Sequence, residues 1–225
     1  MKTETLDLNP PPGATTAHVA LPASGDAPSA AVILIQEWWG VDDHIRDIAG
    51  RYANEGYICV APDLYRGKVT HDQGEASKLM HALAIEDGIA TIRSAVEETK
   101  RKYNVSRTGI TGYCMGGTFA LRAACDLSEL DASAPFYGDI PDEETLSHLK
   151  VPTLFIAGAR DQWITPEKVE GLKEAARKYN LPVEVVSYDA DHAFFNDTRP
   201  EVYNAEAAQD AWRRVLAFFD SRLRG

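Results

Sequence analysis

The sequence holds little that would cross-link or anchor it. Three cysteines in 225 residues is an odd and low count, which argues against a disulfide framework. Cys114 and Cys125 fall on one expected helix about 16 Å apart, too far to bridge. Cys59 and Cys125 read as small buried hydrophobes. The longest purely aliphatic run, Ala30 to Ile35, has six residues, whereas a membrane span takes about 20. Met1 to Pro12 carries one Lys and no apolar stretch, so it does not read as a secretory signal. A cytoplasmic protein with no membrane partner is the expectation. Basic residues are the minority, 23 against 34 acidic, for a net charge of −11 and a pI near 5.0. Such a chain repels phosphate backbones, and no basic stripe overrides the sum, so nucleic acid is not an expected partner. No His/Cys cluster has zinc spacing, and no glycine-rich loop is of the phosphate or dinucleotide type. No metal and no organic cofactor are expected.

What is present suffices for a sizeable core, with 44% hydrophobic residues. Loops are expected over Asn9–Ala14 and Pro22–Ser29, around a short strand near Ala17–Leu21. Strand-like and helix-like segments then alternate. Strands are predicted over Ala31–Gln36, Tyr57–Ala61, Thr108–Tyr113, Ala132–Tyr137, Val151–Ala157 and Val183–Tyr188. Helices are predicted over Asp43–Glu55, Gly74–Met80, Ala84–Tyr103, Thr118–Cys125, Pro166–Tyr179 and Glu201–Leu223. The alternation implies βαβ crossovers: one α/β domain over residues 1–225, with a mostly parallel sheet and helices on both faces. Sites in such sheets lie at the carboxyl ends of the strands.

The sharpest motif is Gly112-Tyr113-Cys114-Met115-Gly116-Gly117, between a predicted strand and a predicted helix. This is the Gly-x-nucleophile-x-Gly pattern of a nucleophile elbow, with Cys in the nucleophile's place. The turn is strained, so small neighbours are needed. The helix behind it offers free N–H groups that favour a thiolate and an oxyanion. An elbow of this kind is followed in the chain by an acid and then a His. Of the six His, His192 lies just after the last strand preceding the final helix, where a general base enters. Asp161 follows the preceding strand and is the acid candidate; Asp189 and Asp191 are its rivals. The third signal is Gln36-Glu37-Trp38-Trp39-Gly40, directly after the first buried strand. That loop supplies the second oxyanion donor in this architecture, so the N–H groups of Trp38 and Met115 are the expected pair.

These strings, with Pro62-Asp63-Leu64-Tyr65 and Asp191-His192-x-Phe194, resemble the dienelactone hydrolases (carboxymethylenebutenolidases) from about residue 17 to the C-terminus. The resemblance implies an α/β-hydrolase fold and a Cys-His-Asp triad of Cys114, His192 and Asp161. It also implies that Glu37 pairs with the cysteine at rest and releases it when substrate binds. Members that act on dienelactone grip its carboxylate with two Arg. Arg66 is near one of those places. The other position holds Asn196, and Arg199 close by is not a match.

The expected chemistry is acyl transfer from a small ester or lactone to Cys114, then hydrolysis of the thioester. Trp38, Trp39, Phe194 and Phe195 are the expected pocket walls, with Arg66 reading a carboxylate and Asn196 leaving that recognition weak. Other readings are a thioesterase or another small-ester hydrolase on the same scaffold, and a non-catalytic binding protein that uses Cys114 for redox sensing.

Overall fold

In the computed structural model, residues 1–23 and 30–225 are described, so the loop expected over Pro22–Ser29 lies outside the described residues at positions 24–29. Strand β3 (Ala30–Ile35) is buried along its whole length. Its pleat explains the unbroken apolar run. Ala31, Ile33 and Ile35 enter the core on one face of the sheet, and Ala30, Val32 and Leu34 enter it on the other.

Around β3 stand β1 (Lys2–Leu8), β2 (Thr15–Leu21), β4 (Ile58–Pro62), β5 (Arg107–Tyr113), β6 (Ala132–Phe136), β7 (Thr153–Gly158) and β8 (Val183–Tyr188). Among the described residues they form one sheet in the order β1-β2-β4-β3-β5-β6-β7-β8. The pairs β1–β2 and β2–β4 are antiparallel, and the others are parallel. Helices α1 (Asp43–Asn54) and α7 (Ala205–Phe219) cover one face through Ile45, Ile48, Tyr52, Val215 and Phe219. Helices α3 (Ile85–Tyr103), α4 (Met115–Asp126) and α6 (Pro166–Tyr179) cover the other through Ile92, Val96, Phe119, Val169 and Leu172. Helix α2 (Gln73–Ala82) buries only Ala76. A turn of π-helix over Asp220–Arg224 ends the chain.

The alternation read from the sequence is therefore present, with four departures. β1 was not anticipated: in Lys2–Leu8 only Leu6 and Leu8 are buried, as suits an edge strand. Helix α5 (Glu143–Leu146) is a single turn capped by Asp142. Helix α4 begins at Met115, not Thr118, and α7 begins at Ala205, not Glu201, with the Asn204 side chain accepting from Ala207 N–H at 3.1 Å.

The order of strands fixes where a site forms. From β3 the chain moves to β4 on one side, then returns to β5 on the other. The loops leaving β3 and β5 diverge and open a crevice at the carboxyl ends. Ile35 is level with Gly112 across the β3–β5 ladder. Glu37 and Cys114 follow, each two residues on.

Candidate active site

Cys114 joins β5 to α4 at φ 56° and ψ −118°, backbone angles that an L-residue adopts only when its surroundings force them. Close approach supplies the force. A Cβ on Gly116 would stand 2.3 Å from the Ile35 carbonyl oxygen, and one on Gly112 would stand 2.3 Å from that of Gly116. Side chains at either place would separate α4 from the central strands. The Met115 N–H donates to the Cys114 sulfur, but the helix end does not prevail. Burial first, then the charge of Glu37, push the thiol up to about 12.

Of the three cysteines, Cys114 lines the central cavity. Cys59 is enclosed in β4 and its thiol is held far above its usual range by burial. Cys125 packs against the core. Cys59 therefore matches the reading of a small buried hydrophobe, whereas Cys125 is only half-buried.

His192 follows β8, and its Nδ1 lies 2.6 Å from Asp161 Oδ2. The other oxygen, Asp161 Oδ1, accepts from the N–H groups of Trp163 at 2.8 Å and Ile164 at 2.9 Å. Burial opposes charge on this carboxylate. The bond and charge of His192 and the two backbone donors overcome it and hold its pKa below the ordinary value. The rivals Asp189 and Asp191 are exposed and paired with Arg160. The ring of His192 is 5.0 Å from that of Tyr137 and 5.0 Å from that of Trp163.

Glu37 is 3% exposed. Burial and the nearby charge of Asp42 raise its pKa to about 7, against the Asn196 hydrogen bond and the charge of Arg199. Asn196 Nδ2 donates to Glu37 Oε2 at 2.8 Å, and Asn196 Oδ1 accepts from the N–H of Thr198 at 3.0 Å and its hydroxyl at 2.6 Å. The motif around Pro62 has a scaffolding part here. Asp63 caps its own turn through the N–H groups of Tyr65 and Gly67, and Tyr65 donates its hydroxyl to Met115 sulfur at 3.1 Å. Gln36 Oε1 accepts from Leu64 N–H at 3.1 Å and so ties the β3 and β4 loops together.

Cys114, His192, Glu37, Met115, Trp38 and Trp39 line one cavity of about 590 Å³. The two indoles meet edge-on at 4.8 Å. Four residues expected at the pocket are elsewhere. Phe194 and Phe195 turn inward, because Ala193 at φ 62° redirects the chain. Phe195 packs on Tyr113, Phe136 and Trp212, and Phe194 on Tyr137 and Tyr188. Asn196 is buried behind Glu37 and holds that carboxylate, so it does not line the pocket. Arg66 sits exposed on a left-handed turn outside the cavity. The cations at the cavity are Arg199, bridged to Glu201, and Lys168, bridged to Asp139 at 2.7 Å.

Tyr137, Trp163, Met80, Leu83 and Ile85 line the cavity without having been singled out by the sequence. The hydroxyl of Tyr137 is buried, and burial first, then the charges of Glu37 and Cys114, hold its pKa well above the ordinary value against the N–H of Phe195. Its place at the carboxyl end of β6 was the available signal.

The charge state of Glu37 has a consequence for stability. A carboxyl raised from 4.5 to about 7 binds its proton more tightly in the folded chain. The resulting stabilisation is complete below the unfolded value and is lost as pH rises through about 7. Its ceiling is about 3 kcal/mol. Urea melts of wild type and Glu37→Gln between pH 5 and 8 should diverge, with the variant gaining relative stability toward pH 8. Parallel curves would mean that Glu37 ionises as an ordinary carboxylate.

The dienelactone hydrolase family model matches residues 16–223. "Protein usf" of Aquifex pyrophilus is 34% identical over 218 residues, 92% of this chain and 93% of that protein. The "Putative carboxymethylenebutenolidase" of Escherichia coli K12 is 33% identical over 220 residues, 90% of this chain and 81% of its own. The crystal structure of the "Putative Dienelactone Hydrolase" from Klebsiella pneumoniae superposes with a TM-score of 0.91 at 31% identity, covering 97% of this chain and 98% of that one. The crevice where the strand order reverses, the cysteine at its centre and the His–Asp pair beside it are thus found in a hydrolase, and the chain belongs to the dienelactone hydrolase family.

Proposed function

We propose that the chain, acting as one domain, hydrolyses small esters or lactones through a thioester formed on Cys114. The observation that carries this reading is a cysteine on a strained strand–helix turn, facing a cavity shared with an imidazole already paired to a buried carboxylate. Asp161 fixes the tautomer of His192 by accepting a hydrogen bond from Nδ1–H, which leaves Nε2 to work on the substrate side. Because burial and Glu37 keep the Cys114 thiol protonated at rest, its proton has to leave during the attack. His192 takes it as sulfur bonds to the carbonyl carbon. The N–H groups of Met115 and Trp38 receive the oxyanion, each worth about 3–4 kcal/mol in such sites. Collapse breaks the bond to the alcohol, which departs with the proton from His192. Water, deprotonated by the same imidazole, then attacks the thioester; the C–S bond breaks, the Cys114 sulfur takes the proton back from His192, and the acid is freed. Glu37, lying beside the oxyanion loop, restrains the thiol until substrate binds.

The test is direct. Rapid acid quench of the protein with excess p-nitrophenyl ester, followed by peptide mass spectrometry, should find the acyl mass on Cys114. Turnover with no adduct on Cys114, or with the adduct elsewhere, sinks the proposal. Recognition of a substrate carboxylate, expected at Arg66, moves to Arg199, whose charge also reaches Cys114 and Glu37. Arg199→Ala should then lower kcat/KM for a carboxylated ester about tenfold more than for its neutral analogue. Equal effects on both would leave Arg199 as the partner of Glu201 alone.

A further inference from the structure

The sheet order gives the cavity two unlike ends. Cys114 follows the central strand β5, whereas His192 follows β8 at the sheet's edge, with Trp163 beside it. In the other direction α3 packs against α4 and strands β1, β3 and β4. From that side Ser77 and Met80 of α2, Leu83 of the link and Ile85 at the start of α3 line the cavity, as do Thr118 and Phe119 of α4. Apart from the two hydroxyls, these side chains present only carbon and sulfur. The Lys168–Asp139 ion pair and Arg199 come from elements after β6, β7 and β8.

Helix α2 explains why the apolar end matters. It buries only Ala76, while Leu79, Met80 and Leu83 are half-buried against the core cluster. A helix that leaves such a face partly wet above a cavity gains most from a ligand that removes that face from water.

The chemistry then assigns the two ends. A departing alkoxide needs its proton from His192, so the alcohol portion of an ester lies at the β8 side. With the carbonyl over Cys114, the acyl portion points the opposite way, to the link between α2 and α3. We infer that the site selects esters with an extended, unbranched apolar acyl group, seated against Met80, Leu83, Ile85 and Phe119. A small lactone ring would leave this end of the cavity unfilled. This assignment rests on the roles proposed for Cys114 and His192.

Two measurements separate the inference from the reading beneath it. The first is kcat/KM for p-nitrophenyl esters from acetate to octanoate. It should climb by up to about fourfold per added methylene until the end wall is reached. In Leu83→Asn, and separately in Met80→Gln, the octanoate-to-acetate ratio should fall about tenfold. The second is binding of the same esters to Cys114→Ala, read by quenching of tryptophan fluorescence. Octanoate should bind about tenfold or more tightly than acetate, and Leu83→Asn in that background should remove the difference. A flat chain-length profile, a ratio unchanged in both variants, or equal binding of the two esters overturns the acyl assignment. Length-dependent binding without wild-type turnover would instead overturn the catalytic reading and leave the apolar subsite standing.

Discussion

Cys114→Ala should lower ester hydrolysis by about five orders of magnitude or more, the scale set by removing the nucleophile of a comparable triad. The expected loss is chemical, because Ala retains the Cβ and meets the same backbone angles of φ 56° and ψ −118°. The thiol makes no bond that the fold needs; the Met115 N–H that reaches it belongs to the first turn of α4. Thermal unfolding should therefore stay within a few degrees of wild type while turnover disappears. Single-turnover assays with high enzyme separate a true residual rate from contamination. Retention of a tenth of the activity would place the nucleophile elsewhere. Cys59 would not replace it, being sealed in β4.

Asp161→Asn should cost about four orders of magnitude in kcat, the scale known for a triad whose acid no longer fixes the imidazole tautomer. The amide oxygen can still accept from the N–H groups of Trp163 and Ile164, which wild type satisfies at 2.8 and 2.9 Å. The other position then carries an NH2 group facing His192 Nδ1, now 2.6 Å from a carboxylate oxygen. A donor there reverses the hydrogen bond and puts the proton on Nε2, the nitrogen that has to accept one. The fold should persist and the Michaelis constant change little, so the deficit should appear in kcat. Full activity would transfer the acid's role to Asp189 or Asp191, in spite of their pairing with Arg160.

The chemistry-bearing turns were legible because they obey strict local rules. Gly112 and Gly116 are glycines for the same steric reason that makes the pattern readable, and the chain order of Cys114, Asp161 and His192 follows from strand order. The pocket walls were less legible. Phe194 and Phe195 adjoin His192 in sequence, yet one residue at positive φ, Ala193, sends both into the core. No periodicity encodes that turn. Asn196 was read as a missing cation facing the substrate. It is a neutral donor behind Glu37, which fixes the orientation of that carboxylate without fixing its charge. Met80, Leu83 and Ile85 were hidden because they pack against the core and line the cavity at once, and a face that also borders a cavity has the same sequence pattern as one facing a core alone. Strand β1 was missed for want of apolar residues, since an edge strand needs only Leu6 and Leu8.

The contact of Gly116 with β3 also bears on motion. Loops that carry chemistry are usually the first parts of a protein to open, but here the Cys114 turn is wedged against the central strands at Gly116, which has no side chain to rotate away. Its amides should exchange with deuterium only when the sheet itself comes apart, whereas α2, with Ala76 as its one fully buried side chain, should exchange through local excursions. The position of the Cys114 sulfur and the wall that α2 contributes to the cavity thereby fall in separate cooperative units. Helix α2 can loosen for a bulkier ligand, or accumulate substitutions, without shifting the sulfur.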